Sequence, residues 1–189
     1  MNRHIAETLR PVAARWLAIA MVLVCPPGTA VAQVTVFLPT DGDIKATLSL
    51  PGDVQRGKDA YAECQTCHRT DASGRASFNI PRLSGQHASV LIKQLMDIRS
   101  GLRVNEDMRE YMHDSDLTLQ DFADMAAYLQ SLPVAGKIGQ GPPELVPRGQ
   151  ALYASDCAGC HGEHGEGRAE LFFPMLASQH YGYLLRELD

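Results

Sequence analysis

The stretch that decides the fold is "CQTCH", Cys64 to His68, in which two cysteines three positions apart run straight into a histidine. A second copy, "CAGCH", stands at Cys157 to His161, 93 positions later. Identical spacing used twice calls for a chemical reason. Three compete: a disulfide, a thiolate–imidazole metal site, and covalent attachment of a haem.

A disulfide inside C-x-x-C closes a very small loop and stabilises little, and it leaves both histidines unexplained. A zinc site needs a partner pair within about 12–20 residues, whereas the next pair is 93 away. A thioredoxin-type redox pair needs a βαβ setting, and the surrounding sequence shows none. C-x-x-C-H reads as c-type haem attachment. Two thiols three apart on a helical turn face the same way and can add to the two vinyl groups of the ring. The histidine that follows then supplies an axial nitrogen to the iron. The expected cofactor is haem c with its iron, at two sites. Cys64 and Cys67 attach the first haem, with His68 on its iron; Cys157 and Cys160 attach the second, with His161.

Outward from the motifs the chain repeats itself. "RGKDAYAEC" (Arg56 to Cys64) matches "RGQALYASDC" (Arg148 to Cys157) with one inserted residue, and "IPRLSGQHASVLIKQL" (Ile80 to Leu95) matches "FPMLASQHYGYLLREL" (Phe173 to Leu188). Gly74 pairs with Gly167, Pro81 with Pro174, Gln86 with Gln179 and His87 with His180. The period is too long for a solenoid, so this is a duplicated domain.

Each copy reads as helical. A first helix is expected from about Asp53 into Cys64. Val90, Leu91, Leu95 and Ile98 recur at helical spacing, with Gly101 as a stop. "RVNEDMREYMHDSD" (Arg103 to Asp116) is polar and is expected to be a loop. "TLQDFADMAAYLQSL" has Thr118 as N-cap, Asp121 in its first turn, Phe122, Met125 and Leu129 on one face, and Pro133 beyond its end. Pro133 to Pro147 is Gly/Pro-rich and reads as a linker.

The N-terminus looks like an export signal: Arg3, Arg10 and Arg15, then an apolar core from Trp16 to Val24, then "AVA" at Ala30 to Ala32. Cleavage is expected after Ala32, which removes Cys25 and leaves the motif cysteines. The expected organisation is a signal peptide at 1–32, an arm at 33–52 and a first domain at 53–132. A linker at 133–147 and a second domain at 148–189 follow. Within the arm, Val34, Val36 and Leu38 alternate, as in a short strand or a tethered arm. A formal charge of −5 over 189 residues gives no footprint for nucleic acid.

The residues "G…Y..ECQTCH" (Gly57, Tyr61, Cys64, Cys67, His68), "IPRLSGQ" (Ile80 to Gln86), "SGLR" (Ser100 to Arg103) and "LTLQDFADMAAYL" (Leu117 to Leu129) resemble class I cytochromes c. In doubled form they resemble the periplasmic two-haem cytochromes of the c-four type. The resemblance implies an all-α fold of tandem cytochrome c domains, each a few helices around a covalently bound haem. It implies that Gly57 and Tyr61 mark where the first helix crosses the last, against Tyr128. It implies that the Pro81 and Pro174 carbonyls face the second nitrogen of each axial histidine. The family places its sixth ligand in the polar stretch before the last helix, which points to Met108, with Met112 as the alternative; Met96 and Met125 read as core. The second copy lacks a counterpart of the stretch from Arg103 to Leu129, so it is expected to be truncated, with Phe172, Phe173, Leu184, Leu185 and Leu188 short of a partner surface. His164 and His180 are the histidines that could reach its iron, and His87 reads as structural or surface.

The function implied is periplasmic electron transfer, passing single electrons between a respiratory donor and an oxidase or dehydrogenase partner. Its partners would be redox proteins: a respiratory complex, a terminal oxidase or a periplasmic dehydrogenase. A membrane-bound partner would bring the chain near the membrane. The other reading makes the chain an oxidoreductase, or the haem subunit of one, acting on peroxide, sulfur compounds or alcohols through an open second haem.

Overall fold

A computed structural model of the chain describes residues 41–113, 115–134 and 136–188. The expected signal sequence, its expected cleavage site and the alternation at Val34, Val36 and Leu38 lie outside the described residues.

The first repeat is built on two helices that cross. Asp53 caps helix α2 (Val54–Ala60), its carboxylate accepting from the N–H groups of Gln55 (2.9 Å) and Arg56 (2.8 Å). A 3-10 turn, Tyr61–Cys64, leads into helix α3 (Gln65–His68), which carries the first motif. Helix α4 (Ala88–Ser100) buries Val90, Leu91, Ile92, Met96 and Ile98 and ends at Gly101 in the left-handed conformation. Helix α6 (Leu119–Ser131) begins with the expected Thr118 cap, reciprocated by Asp121 in a capping box, and buries Phe122, Met125 and Leu129.

Two elements depart from the sequence reading. The arm contains a helix, α1 (Asp41–Ser49), whose Ile44 packs against the core. The polar stretch expected to be a loop holds helix α5 (Glu106–His113). Asn105 caps it, accepting from the Met108 N–H at 3.1 Å, and Glu106 and Asp107 sit in its first turn.

The crossing of α2 and α6 is close because position 57 has no side chain: a β-carbon there would stand 2.0 Å from Asp124 O and 2.9 Å from Tyr128 Cβ. The rings of Tyr61 and Tyr128 pack at 5.7 Å between centroids, tilted by 49°. Asp124, 1 % exposed, accepts from the Asp53 N–H (2.7 Å), Arg56 Nε (2.7 Å) and Gln120 Nε2 (2.8 Å), so a buried carboxylate has its oxygens satisfied.

The second repeat runs through helices α7 (Val146–Leu152), α8 (Ala158–His161) and α9 (Tyr181–Leu188). Its extra residue has a clear place. Where the first repeat has a four-residue 3-10 turn, the second has the five-residue π turn Tyr153–Cys157, and the register of the motif is kept. Beyond the motif the loops coincide position for position: the bridge Arg75–Ile80 returns as Arg168–Phe173, and the left-handed Asn79 returns as Phe172. Among the described residues there is no named strand, and the fold is all-α. No described helix is long and apolar enough to cross a membrane.

The described residues fall in one compact unit, because the repeats pack together through matching residues. Gln86 Nε2 donates to Met175 O (3.0 Å) and Gln179 Nε2 to Arg82 O (3.0 Å). His87 Nε2 faces Glu166 O (2.8 Å) and His180 Nε2 faces Ser73 O (2.7 Å). Of the apolar residues expected to be short of a partner surface, Phe172, Phe173 and Leu184 are half-buried, while Leu185 and Leu188 are exposed.

Candidate functional site

Each motif is a single helical turn closed by a backbone reversal. Cys64, at the end of the 3-10 turn, and Cys67, in α3, are one turn apart and carry free, half-buried thiols, and His68 is 4 % exposed. Burial, aided by Glu63, pushes the Cys64 thiol up. Arg75 holds the end of the turn, Nε donating to Cys67 O (3.2 Å) and a terminal nitrogen to Thr66 O (3.0 Å), where a cation suits the exposed carbonyls. The sequence reading missed this role of Arg75; its signal was a basic residue shortly after the motif.

His68 Nδ1 faces Pro81 O at 3.1 Å, and His161 Nδ1 faces Pro174 O at 2.9 Å. A carbonyl oxygen can only accept, so Nδ1 carries the proton and Nε2 keeps its lone pair. Burial lowers the basicity of His68 further, outweighing the carbonyl contact that raises it, and favours the neutral imidazole a metal requires. Gly74 allows this contact: its φ is +72° and an added β-carbon would stand 2.4 Å from Pro81 O. Gly167, with φ +75°, has its β-position 2.6 Å from Phe173 O.

Cys157 is half-buried and Cys160 exposed, and the His161 ring lies 5.9 Å from that of Phe173. Met108 and Met112 occupy one face of α5, four residues apart. Met112 is 4 % exposed within the core, and Met108 is half-buried against it. Met96 and Met125 are core residues, as read. His180 is drawn into the contact between repeats through Ser73 O, and His164 is exposed. Among the described residues no cluster of three or more His, Cys, Asp and Glu could hold a bare metal ion.

Paired thiols one turn apart and a histidine with one nitrogen satisfied and one free suit a covalently attached haem. The cytochrome c profile matches residues 54–133 and 146–189. The chain belongs to the cytochrome c family.

Similar proteins place this cytochrome with the two-haem c4 type. It is 36 % identical over 145 residues to cytochrome c4 of Pseudomonas aeruginosa, covering 72 % of the chain and 70 % of that protein. The reduced recombinant cytochrome c4 from Pseudomonas stutzeri superposes with a TM-score of 0.65 at 32 % identity, covering 73 % of this chain and 79 % of that one. A thiosulfate dehydrogenase electron acceptor of Stutzerimonas stutzeri is 30 % identical over 173 residues, covering 82 % and 79 %. The cytochrome binds haem c with its iron and transfers electrons, and redox proteins are its partners.

Proposed function

We propose that this cytochrome is an exported, periplasmic carrier that passes single electrons from a respiratory donor or dehydrogenase to an oxidase or other acceptor. The observation that carries this reading is the repeated histidine–carbonyl contact, at 3.1 Å and 2.9 Å, one residue beyond each thiol pair. Cys64 and Cys67 would hold one haem and Cys157 and Cys160 the other; His68 and His161 would each offer a nitrogen to an iron, and Met108, with Met112 as the alternative, would offer a thioether to the first. Bound haem iron supplies one-electron exchange between its ferrous and ferric states.

The chain's own residues do the rest. Pro81 and Pro174 fix the orientation and tautomer of the imidazoles. A methionine thioether favours the ferrous state and raises the potential. The negative formal charge steers the cytochrome towards partners with basic docking patches. The relative that accepts electrons in thiosulfate oxidation makes a sulfur-oxidising dehydrogenase a good first donor to test.

The test is intact mass, with haem stain and fractionation, of the protein made in a host that matures c-type haem. The expected result is two haems on a chain found in the periplasm. Loss of Cys64 and Cys67 together should remove one haem, and loss of Cys157 and Cys160 the other. A colourless product, or one whose colour is extracted by acid–acetone, overturns the reading.

A further inference from the structure

The carbonyl that orients each axial histidine belongs to a peptide gripped from the opposite repeat. Pro81 O faces His68 Nδ1, and the N–H of that same peptide unit, on Arg82, donates to Gln179 Oε1 at 2.9 Å. Gln179 Nε2 donates back to Arg82 O at 3.0 Å. The mirror arrangement holds in the second repeat. Pro174 O faces His161 Nδ1, the Met175 N–H donates to Gln86 Oε1 at 2.9 Å, and Gln86 Nε2 donates to Met175 O at 3.0 Å. The peptides are trans, so C=O and N–H point in opposite directions. Imidazole, peptide and glutamine therefore form one hydrogen-bonded line in each half.

Such lines polarise cooperatively. A peptide whose N–H is bonded carries more negative charge on its oxygen and accepts more strongly from the imidazole. A stronger acceptor makes the imidazole a more basic ligand, which favours ferric iron. Both glutamines are buried, at 8 % and 9 % exposure, where these interactions are strongest. Each Oε1 also accepts from the next residue's own N–H, at 3.0 Å from His87 and 2.9 Å from His180, which fixes the amide's orientation.

We infer that Gln86 and Gln179 are positioning residues that act crosswise: Gln179 tunes the centre held by His68, and Gln86 tunes the centre held by His161. The inference rests on the reading of these histidines as axial ligands. It makes each haem's potential a property of both repeats.

The experiment measures both reduction potentials in the full holo-protein, with the centres distinguished by their hyperfine-shifted proton resonances. Gln179→Met keeps the volume and removes the bonds to Arg82. It should shift the centre at His68 to a more positive potential and leave the other in place. Gln86→Met should do the reverse. Equal shifts at both centres, a shift only in the variant's own repeat, or no shift each overturns the inference. The unmodified protein separates this failure from that of the underlying reading, since absence of histidine-ligated spectra at either motif removes both. If a variant does not fold, amide exchange decides: Arg82 and Met175 should both be protected in the unmodified protein, and exchange of either at the rate of an exposed amide overturns the inference.

Discussion

Gly57 and Asp124 touch backbone to backbone: a β-carbon on Gly57 would lie 2.0 Å from the Asp124 carbonyl oxygen and 2.4 Å from its carbon. The matching glycine of the second repeat, Gly149, has nothing within 4 Å of the same position. One sequence feature thus has two structural settings, and substitution separates them. Gly57→Ala must push α2 away from α6 and should cost about 2–3 kcal/mol. Gly149→Ala meets open space in a helix and should stabilise by about 0.5–1 kcal/mol. Urea unfolding of the two variants checks both signs.

Asp124 makes the same crossing sensitive to acid. The Arg56 guanidinium, at 2.7 Å, holds the Asp124 carboxyl below the usual carboxylate range. A carboxyl whose folded-state value is depressed contributes stability above its unfolded value, about 3.9, and loses it as pH falls through the folded value. Asp124→Asn should therefore be less stable than the native chain at neutral pH, and the gap should close on acidification below about pH 4. Unfolding measured across pH tests this; a gap that does not change with pH contradicts it.

Arg69 ends α3 at φ 68°, ψ 164°, a conformation costing a residue with a side chain about 1–3 kcal/mol. The second repeat places Gly162 there, at φ 83°, ψ 162°. The reversal is kept in both because a tyrosine hydroxyl binds its carbonyl, Tyr61 to Arg69 O at 2.9 Å and Tyr153 to Gly162 O at 2.7 Å. Arg69→Gly should raise stability by about 1 kcal/mol without changing the haem spectrum, as read by thermal melting of the holo-protein.

The two methionines of α5 should separate by what each removal changes. Met108→Leu should lower the potential of the first centre markedly and abolish its methionine–iron charge-transfer absorption. Met112→Leu, a volume-conserving change in the core, should cost less than about 1.5 kcal/mol and leave the potential unchanged. If Met112→Leu alone alters the spectrum, the ligand is Met112.

The first repeat was legible where one rule dominated: Thr118 and Asp121 announced α6, and the spacing of Val90, Leu91, Leu95 and Ile98 announced α4. Helix α5 was missed because its apolar face is narrow and the rest of it is charged. Its remaining signals were the Asn105 cap and the acids that follow. The haem-attachment spacing was plain in the sequence, but the grip of Gln86 and Gln179 was not. Repetition marked both as paired positions, yet a contact between residues 97 apart in the chain, Arg82 and Gln179, has no local pattern to read.

The reciprocal contact of the repeats is isologous in form: residue i of one copy meets residue j of the other, and j meets i. A face of that kind is complementary to itself, so two separate copies of a single repeat could meet through it. Carrying both on one chain frees the halves from identity. A symmetric pair would bury the Arg82 cation twice; here it is buried once, at 4 % exposure, and the equivalent place is filled by Met175. Fusion lets the two halves become chemically unlike while keeping the joint between them, so that the surroundings of one motif can change without the same change at the other.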